Sequence, residues 1–181
     1  MKQRWTNILL IAGSGQNSGK TALQCQLLEQ LRNDEPIAVK ISHHFYDPTP
    51  GLKLLSEDQG LQLFEETNRT TQKDSSRYLQ HGAKRSFYIQ CRDECLQQAF
   101  VSLLPYLEAD RPILIESAAL HHIIDAGMFI LVVNEHVASK PSTEINRKIA
   151  DLVINSDGKQ FSPAPNQLTF NKVWKRKQAL N

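Results

Sequence analysis

Cysteine is scarce in this chain, with three in 181 residues. So small and odd a number argues against a disulfide framework and fits a reducing compartment. Long apolar runs are missing as well, and none reaches the ~18 to 20 residues of a membrane-spanning helix. The apolar run from Ile8 to Ala12 is shorter than a signal-peptide core and leads into a glycine-rich turn, not a cleavage site. Nor does one sign of charge prevail. The 21 basic and 19 acidic side chains leave a formal net charge of +2, which gives no general case for nucleic-acid or lipid binding. There is no internal repeat and no low-complexity tract. These absences predict a cytoplasmic protein whose partners include neither a membrane nor a nucleic acid.

What is present is ordinary globular usage, 40% hydrophobic and 22% charged. The length suits one domain over 1–181, large enough to bury a core. Short aliphatic runs alternate with longer segments of helical period. Strands are expected at 7–12, 37–41, 86–90, 113–116, 128–133, 152–155 and 167–170. Several are apolar throughout, as strands covered on both faces are. Helices are expected after residue 19 and over 58–66, 74–82 and 93–107. The pattern predicts an α/β fold, a mostly parallel sheet of about six to seven strands with helices on both faces. Lys172, Lys175, Arg176 and Lys177 read as a solvated helical tail. Cys91 and Cys95 read as half-buried small hydrophobes. Two polar, Pro-containing stretches, 42–60 and 134–143, follow strands. Loops leaving the carboxyl ends of strands build the ligand site of such a sheet, so substrate contacts are expected there.

Between the first strand and the first helix lies Ser14-Gly-Gln-Asn-Ser-Gly-Lys-Thr21. In that context the run reads as a P-loop. Backbone N–H groups of a small-residue loop converge on phosphates, and the helix N-terminus adds partial positive charge. Gly15, Asn17, Ser18, Gly19, Lys20, Thr21 and Ala22 are therefore the expected nucleotide-binding residues. Lys20 is placed on the β- and γ-phosphates and the Thr21 hydroxyl on Mg²⁺. Ser14 stands where the usual pattern has glycine, flanked by Gly13 and Gly15.

Triphosphate chemistry also needs an acid near the magnesium, at the end of another strand. Glu116 ends Arg-Pro-Ile-Leu-Ile-Glu and meets that demand as a metal and catalytic residue. Lys40 ends Ile-Ala-Val-Lys and is the expected second cation on the transferring phosphoryl group. His43, His44 and Asp47, and the pair His121-His122, are candidates for a metal or phosphate-contacting cluster. Asp74 is a natural helix N-cap, and Arg77, one turn on, is a candidate anion contact. No Asn-Lys-x-Asp guanine signature follows a late strand; Asn155 is the loose candidate for a base contact.

Taken together, Ser-Gly-Lys-Thr, then Val-Lys-Ile-Ser-His-His-Phe-Tyr-Asp, then Lys-Asp-Ser-Ser-Arg-Tyr-Leu-Gln-His-Gly-Ala resemble the MobB family. These are the molybdopterin-guanine dinucleotide biosynthesis adaptor proteins, and the likeness spans about residues 7–135. The matching positions are Lys40, His43, His44, Asp47, Lys73, Asp74, Ser75, Arg77, Gly82 and Ala83, with Glu116 on the acidic strand. The resemblance implies GTP binding, slow hydrolysis with Mg²⁺ and assistance to a cofactor-biosynthesis enzyme. The span from Gly13 to Gly19 and the Asp47-Pro48 step are also similar to dethiobiotin synthetase and the cobyrinic acid amide synthases. That likeness implies an ATP-dependent ligase or kinase activating a small carboxylate. Proteins of this wider class often dimerise across the nucleotide face, so a homodimer is expected. Lys20→Ala is predicted to remove most triphosphate affinity, read by calorimetry, while circular dichroism shows the fold intact; binding as tight as wild type would overturn the P-loop reading.

Overall fold

The computed structural model describes residues 2–177. The chain runs β1 (Arg4–Gly13), α1 (Lys20–Gln30), β2 (Ile37–Ser42), β3 (Leu52–Asp58), β4 (Leu61–Glu66), α2 (Asp74–Gln80) and β5 (Arg85–Cys91). It continues through α3 (Leu96–Leu103), β6 (Ile113–Glu116), β7 (Asp125–Val133), α4 (Ser142–Ile149) and β8 (Leu152–Ser156). The last strands are β9 (Phe161–Ser162), β10 (Leu168–Asn171) and β11 (Val173–Arg176).

The main sheet has nine strands in the order β3-β4-β5-β2-β6-β1-β7-β8-β9. The neighbours from β5 through β8 are parallel, while β3 and β4 on one edge and β9 on the other are antiparallel. This is an α/β fold with a mostly parallel sheet, as expected, but with more strands than six or seven. The central strands alternate between two cores. Ile8, Leu10, Val39 and Ile115 face α3, whereas Leu9, Ile11, Ala38 and Leu114 face α1 and α2. Helices therefore cover both faces, and every residue of the central runs is buried. Burial on both sides is why those strands lack polar alternation.

Three expectations are corrected. Residues 58–66 form no helix. Leu61 and Leu63 point into the core as alternate residues of β4, and Gln59-Gly60 closes a two-residue turn back to β3. Gly60 has φ +81, the left-handed conformation that such turns favour in glycine. The expected loop over 42–60 is accordingly a loop only over 43–51, between β2 and β3. The helix expected over 93–107 is α-helical only over Leu96–Leu103, flanked by 3-10 turns, the second of which contains Pro105. The basic C-terminal segment is no helix either. As far as the described residues reach, β10 and β11 pair as a hairpin. Trp174 is its buried anchor, donating its indole N–H to the carbonyl of Asn7 at 2.8 Å. Two of the basic residues, Lys175 and Arg176, are exposed on that hairpin, and strand alternation puts Lys175 on the face opposite Trp174.

The order of strands creates the crevice. From β1 the chain crosses over α1 to β2, beyond β6, whereas β7 and β8 extend the sheet on the other side of β1. The carboxyl ends of β1, β2 and β6 open at this reversal of direction, where ligands bind in sheets of this kind.

His121, in the turn after β6, is buried on the opposite core. Its ring stacks at 4.9 Å on Phe129 and lies 3.8 Å from His122. Neither ring nitrogen bonds another group among the described residues. Burial first, then His122 and Lys2, hold the imidazole down at about 4 from an ordinary 6.5. Between those values the unfolded chain binds more protons than the folded one, so stability must fall as pH drops from about 6.5 toward 4. Urea midpoints are predicted to fall across that window in wild type and to fall less steeply in His121→Phe. Equal slopes in the two proteins would remove His121 as the source.

Candidate functional site

The loop after β1 is built by close approach. Ser14 is fully buried, and its side chain turns away from the loop mouth. Its hydroxyl accepts the N–H of Asn134 at 3.2 Å, and its carbonyl accepts the N–H of Lys140 at 2.6 Å and the Thr143 hydroxyl at 3.1 Å. The residue that departs from the usual motif thus ties the loop to the connection between β7 and α4. At Gly15 a Cβ would lie 2.4 Å from the carbonyl oxygen of Ala138, so only glycine fits against that connection. Asn17 and Gly19 have φ of 59 and 102. Left-handed backbone of this kind turns N–H groups toward one point, the geometry of an anion-binding nest. Lys20 opens α1, and its ammonium donates to the carbonyl of Gly15 at 2.9 Å, across the mouth of the loop.

Facing the loop is a buried carboxylate. Lys40 and Glu116 share the parity of Ala38 and Leu114, which places both side chains on the α1 and α2 face of the sheet. Glu116 is 4% exposed at its side chain, and both of its oxygens accept hydrogen bonds. Oε1 takes the Lys40 ammonium at 2.5 Å. Oε2 accepts the Thr21 hydroxyl at 2.9 Å and the Tyr78 hydroxyl at 2.8 Å. Lys40 is held on its other side by Asp74 of α2 at 2.9 Å. Asp74 in turn lies 3.7 Å from Arg77.

The two lysines differ in their electrostatics. Burial alone would push the Lys40 ammonium down, but the charges of Glu116 and Asp74 and hydrogen bonds to both raise its pKa above the ordinary value. Lys20 is lowered, first by burial and then by repulsion from Lys40 and Lys140, against the pull of Glu116. An arriving polyphosphate would reverse that balance at Lys20, giving the ammonium the anion its surroundings favour.

Lys20, Thr21, Lys40, Asp74 and Glu116 line one cleft of about 950 Å³, with the Tyr78 hydroxyl buried behind Glu116. Gly15, Asn17, Ser18, Gly19, Lys20, Thr21 and Ala22 border it, as do Lys40, Arg77 and Glu116, so every nucleotide, metal and catalytic residue expected from the sequence is brought together. His43, His44 and Asp47 line it farther along, where the His43 ring meets Asp93 at 2.6 Å. His121 and His122 do not line it. Among the described residues no group of three His, Cys, Asp or Glu is arranged to hold a metal ion. Cys91 is a core residue whose thiol burial pushes up to about 11, which fits its reading as a small hydrophobe. Two residues of the site were not singled out in the sequence. Lys140, which lines the cleft, lies within the 134–143 stretch but carries no motif, and Tyr78, buried behind Glu116, follows Arg77 directly. The signal for Tyr78 was its spacing, one helical turn after Asp74 on the same face.

Thr21 and Glu116 fit a magnesium ion in the manner of one that keeps several waters and takes its other ligands from phosphates. The Thr21 hydroxyl has one proton, and it goes to Glu116, which leaves its lone pairs for a cation. A second, smaller cleft of about 340 Å³ opens at the carboxyl ends of β7 and β8, bordered by His136, Asn155, Asp157 and Phe161. It adjoins the glycine-rich loop, since a Cβ on Gly19 would lie 2.9 Å from the Ser156 hydroxyl and 3.3 Å from the Phe161 ring. Comparisons of the chain with protein-family models, with curated proteins and with solved structures gave no significant match. Glu116→Gln is predicted to cut the Mg²⁺-dependent gain in nucleotide affinity by about tenfold or more while changing Mg²⁺-free binding little. Calorimetry with and without Mg²⁺ reads both; equal gains in the two proteins would separate Glu116 from the metal.

Proposed function

We propose that this chain is a MobB-like P-loop protein that binds GTP with Mg²⁺, hydrolyses it slowly, and assists a partner enzyme of molybdenum cofactor biosynthesis. The observation that carries the nucleotide reading is the convergence of Lys20, Thr21, Lys40 and Glu116, from the ends of three neighbouring strands, on one cleft. In this reading the loop amides and Lys20 bind the β- and γ-phosphates, and Lys20 leaves the Gly15 carbonyl to do so. Lys40, already aimed by Asp74 and Glu116, stabilises charge on the transferring phosphoryl group without reorganising. Thr21 and Glu116 would hold a magnesium ion, which supplies further neutralisation of the phosphate oxygens.

The smaller cleft suits the base. Asp157 Oδ1 accepts the N–H groups of Lys159 and Gln160 at 2.8 and 2.7 Å. Those two bonds, Gln160's first, hold its carboxyl below the usual range, so it is ionised at neutral pH. A fixed carboxylate complements the adjacent N1–H and N2–H₂ donors of guanine and not the acceptor N1 of adenine. Asn155 borders the same cleft.

A second reading is favoured by the length of the main cleft. Beyond the phosphate loop it continues to Lys73, Arg77, His43 and His44, alongside Asp47 and Asp74. The Lys73 and Arg77 cations would receive an acidic second substrate, as in an ATP-dependent ligase that activates a carboxylate. Calorimetry with GTP and ATP in Mg²⁺ separates the readings. GTP is predicted to bind at least tenfold more tightly, with the preference lost in Asp157→Ala, the loss of hydrogen bonds to a charged group. A preference for ATP, with phosphate release stimulated by small carboxylates, would replace the first reading by the second.

A further inference from the structure

The geometry points to Tyr78 as the positioning residue for Glu116, and to α2 as the element that sets how strongly the nucleotide site takes Mg²⁺. This inference rests on the nucleotide reading above. Tyr78 heads the large side chains of the core that are fully buried. Packing alone explains its ring, which belongs to the apolar core between α1, α2 and the sheet. Packing does not explain its hydroxyl. A buried hydroxyl without a partner is costly, and phenylalanine would fill the same space without that requirement. The hydroxyl donates to Glu116 Oε2 at 2.8 Å, on the same oxygen that receives the Thr21 proton.

That shared oxygen determines the function of the contact. Lys40 pulls on Oε1 at 2.5 Å and is itself pulled toward α2 by Asp74. With Thr21 as the one donor left on the other oxygen, the carboxylate could turn toward the stronger charge of Lys40. Tyr78 opposes that turn from inside the core, where no solvent competes. Oε2 therefore stays within 2.9 Å of Thr21 and keeps the threonine proton pointed at the protein. The lone pairs of Thr21 are then directed at the cleft. Asp74 and Tyr78 are four residues apart on α2, so one helix face fixes both ends of the Lys40–Glu116 pair. Burial, then the charges of Glu116 and Asp74, raise the Tyr78 phenol well above its ordinary pKa, so it remains a donor at every physiological pH.

The test uses the full chain and Tyr78→Phe, which keeps the ring and removes only the hydroxyl. Mg²⁺ is titrated into each protein saturated with GTP, and GTP is separately titrated in EDTA. The variant is expected to need about tenfold more Mg²⁺, the usual cost of losing a partner behind a metal-site residue, with EDTA-phase GTP affinity within about twofold of wild type. Equal Mg²⁺ requirements, or an equal loss with and without Mg²⁺, would overturn the assignment; the latter is what a merely structural role gives. Should wild type bind no nucleotide, the functional reading has failed and the positioning role is decided by a crystal structure of Tyr78→Phe. A Glu116 carboxylate turned off Thr21 toward Lys40 then supports it, and one left in place overturns it.

Discussion

An ionised carboxylate removed from water at the end of a central strand is tolerated only where charge and hydrogen bonds replace its hydration. Glu116 meets that condition through Lys40, Thr21 and Tyr78, each from a different element. The strand β6 delivers the carboxylate, β2 the ammonium, α1 the threonine and α2 the tyrosine. The site is therefore a consequence of the sheet order. Had β6 not lain between β2 and β1, the glycine-rich loop and Glu116 would not face each other. The ion pair also has a local cost, since removing either partner leaves a buried charge uncompensated. Asp74 lessens the dependence on a single contact by sharing Lys40.

The glycine-rich loop after β1 depends on the same economy of close contact. Serine at position 14 replaces a glycine of the usual pattern, yet it gives up nothing at the mouth of the loop, because its side chain lies behind it. Its three contacts join the loop to the segment leading into α4, which also brings Lys140 to the cleft. The loop is thus tied to the β7–α4 connection by the Ser14 hydroxyl on Asn134 and by the Lys140 N–H, and to α4 itself by the Thr143 hydroxyl.

Much of this was legible in the sequence, for identifiable reasons. The strands at 7–12, 37–41 and 113–116 are apolar throughout because both faces are covered, and a run of that kind ending in Lys40 or Glu116 marks a strand end at the crevice. The glycine-rich turn between β1 and α1 was legible because backbone geometry restricts its residues. The hairpin over 52–66 was not, since Leu61, Leu63 and Phe64 satisfy helical spacing as well as alternation, and only the Gln59-Gly60 turn separates the two. Trp174 was hidden among basic residues whose charge dominated the segment. Tyr78 was hidden for a different reason: a tyrosine in an amphipathic helix reads as core, and its ring is core. Only the tertiary fold, which brings residues 78 and 116 together, reveals what its hydroxyl does.

The account stands or falls on where a triphosphate and its metal settle around Glu116. A crystal structure with Mg²⁺ and a non-hydrolysable GTP analogue tests this most directly. The account predicts Thr21 Oγ1 at about 2.1 Å from the ion, Glu116 still bonded to Thr21 and Tyr78, and the Lys20 ammonium moved from the Gly15 carbonyl onto the phosphates. A nucleotide lodged elsewhere, with Lys20 still bonded to Gly15 and no ion beside Thr21, would contradict it.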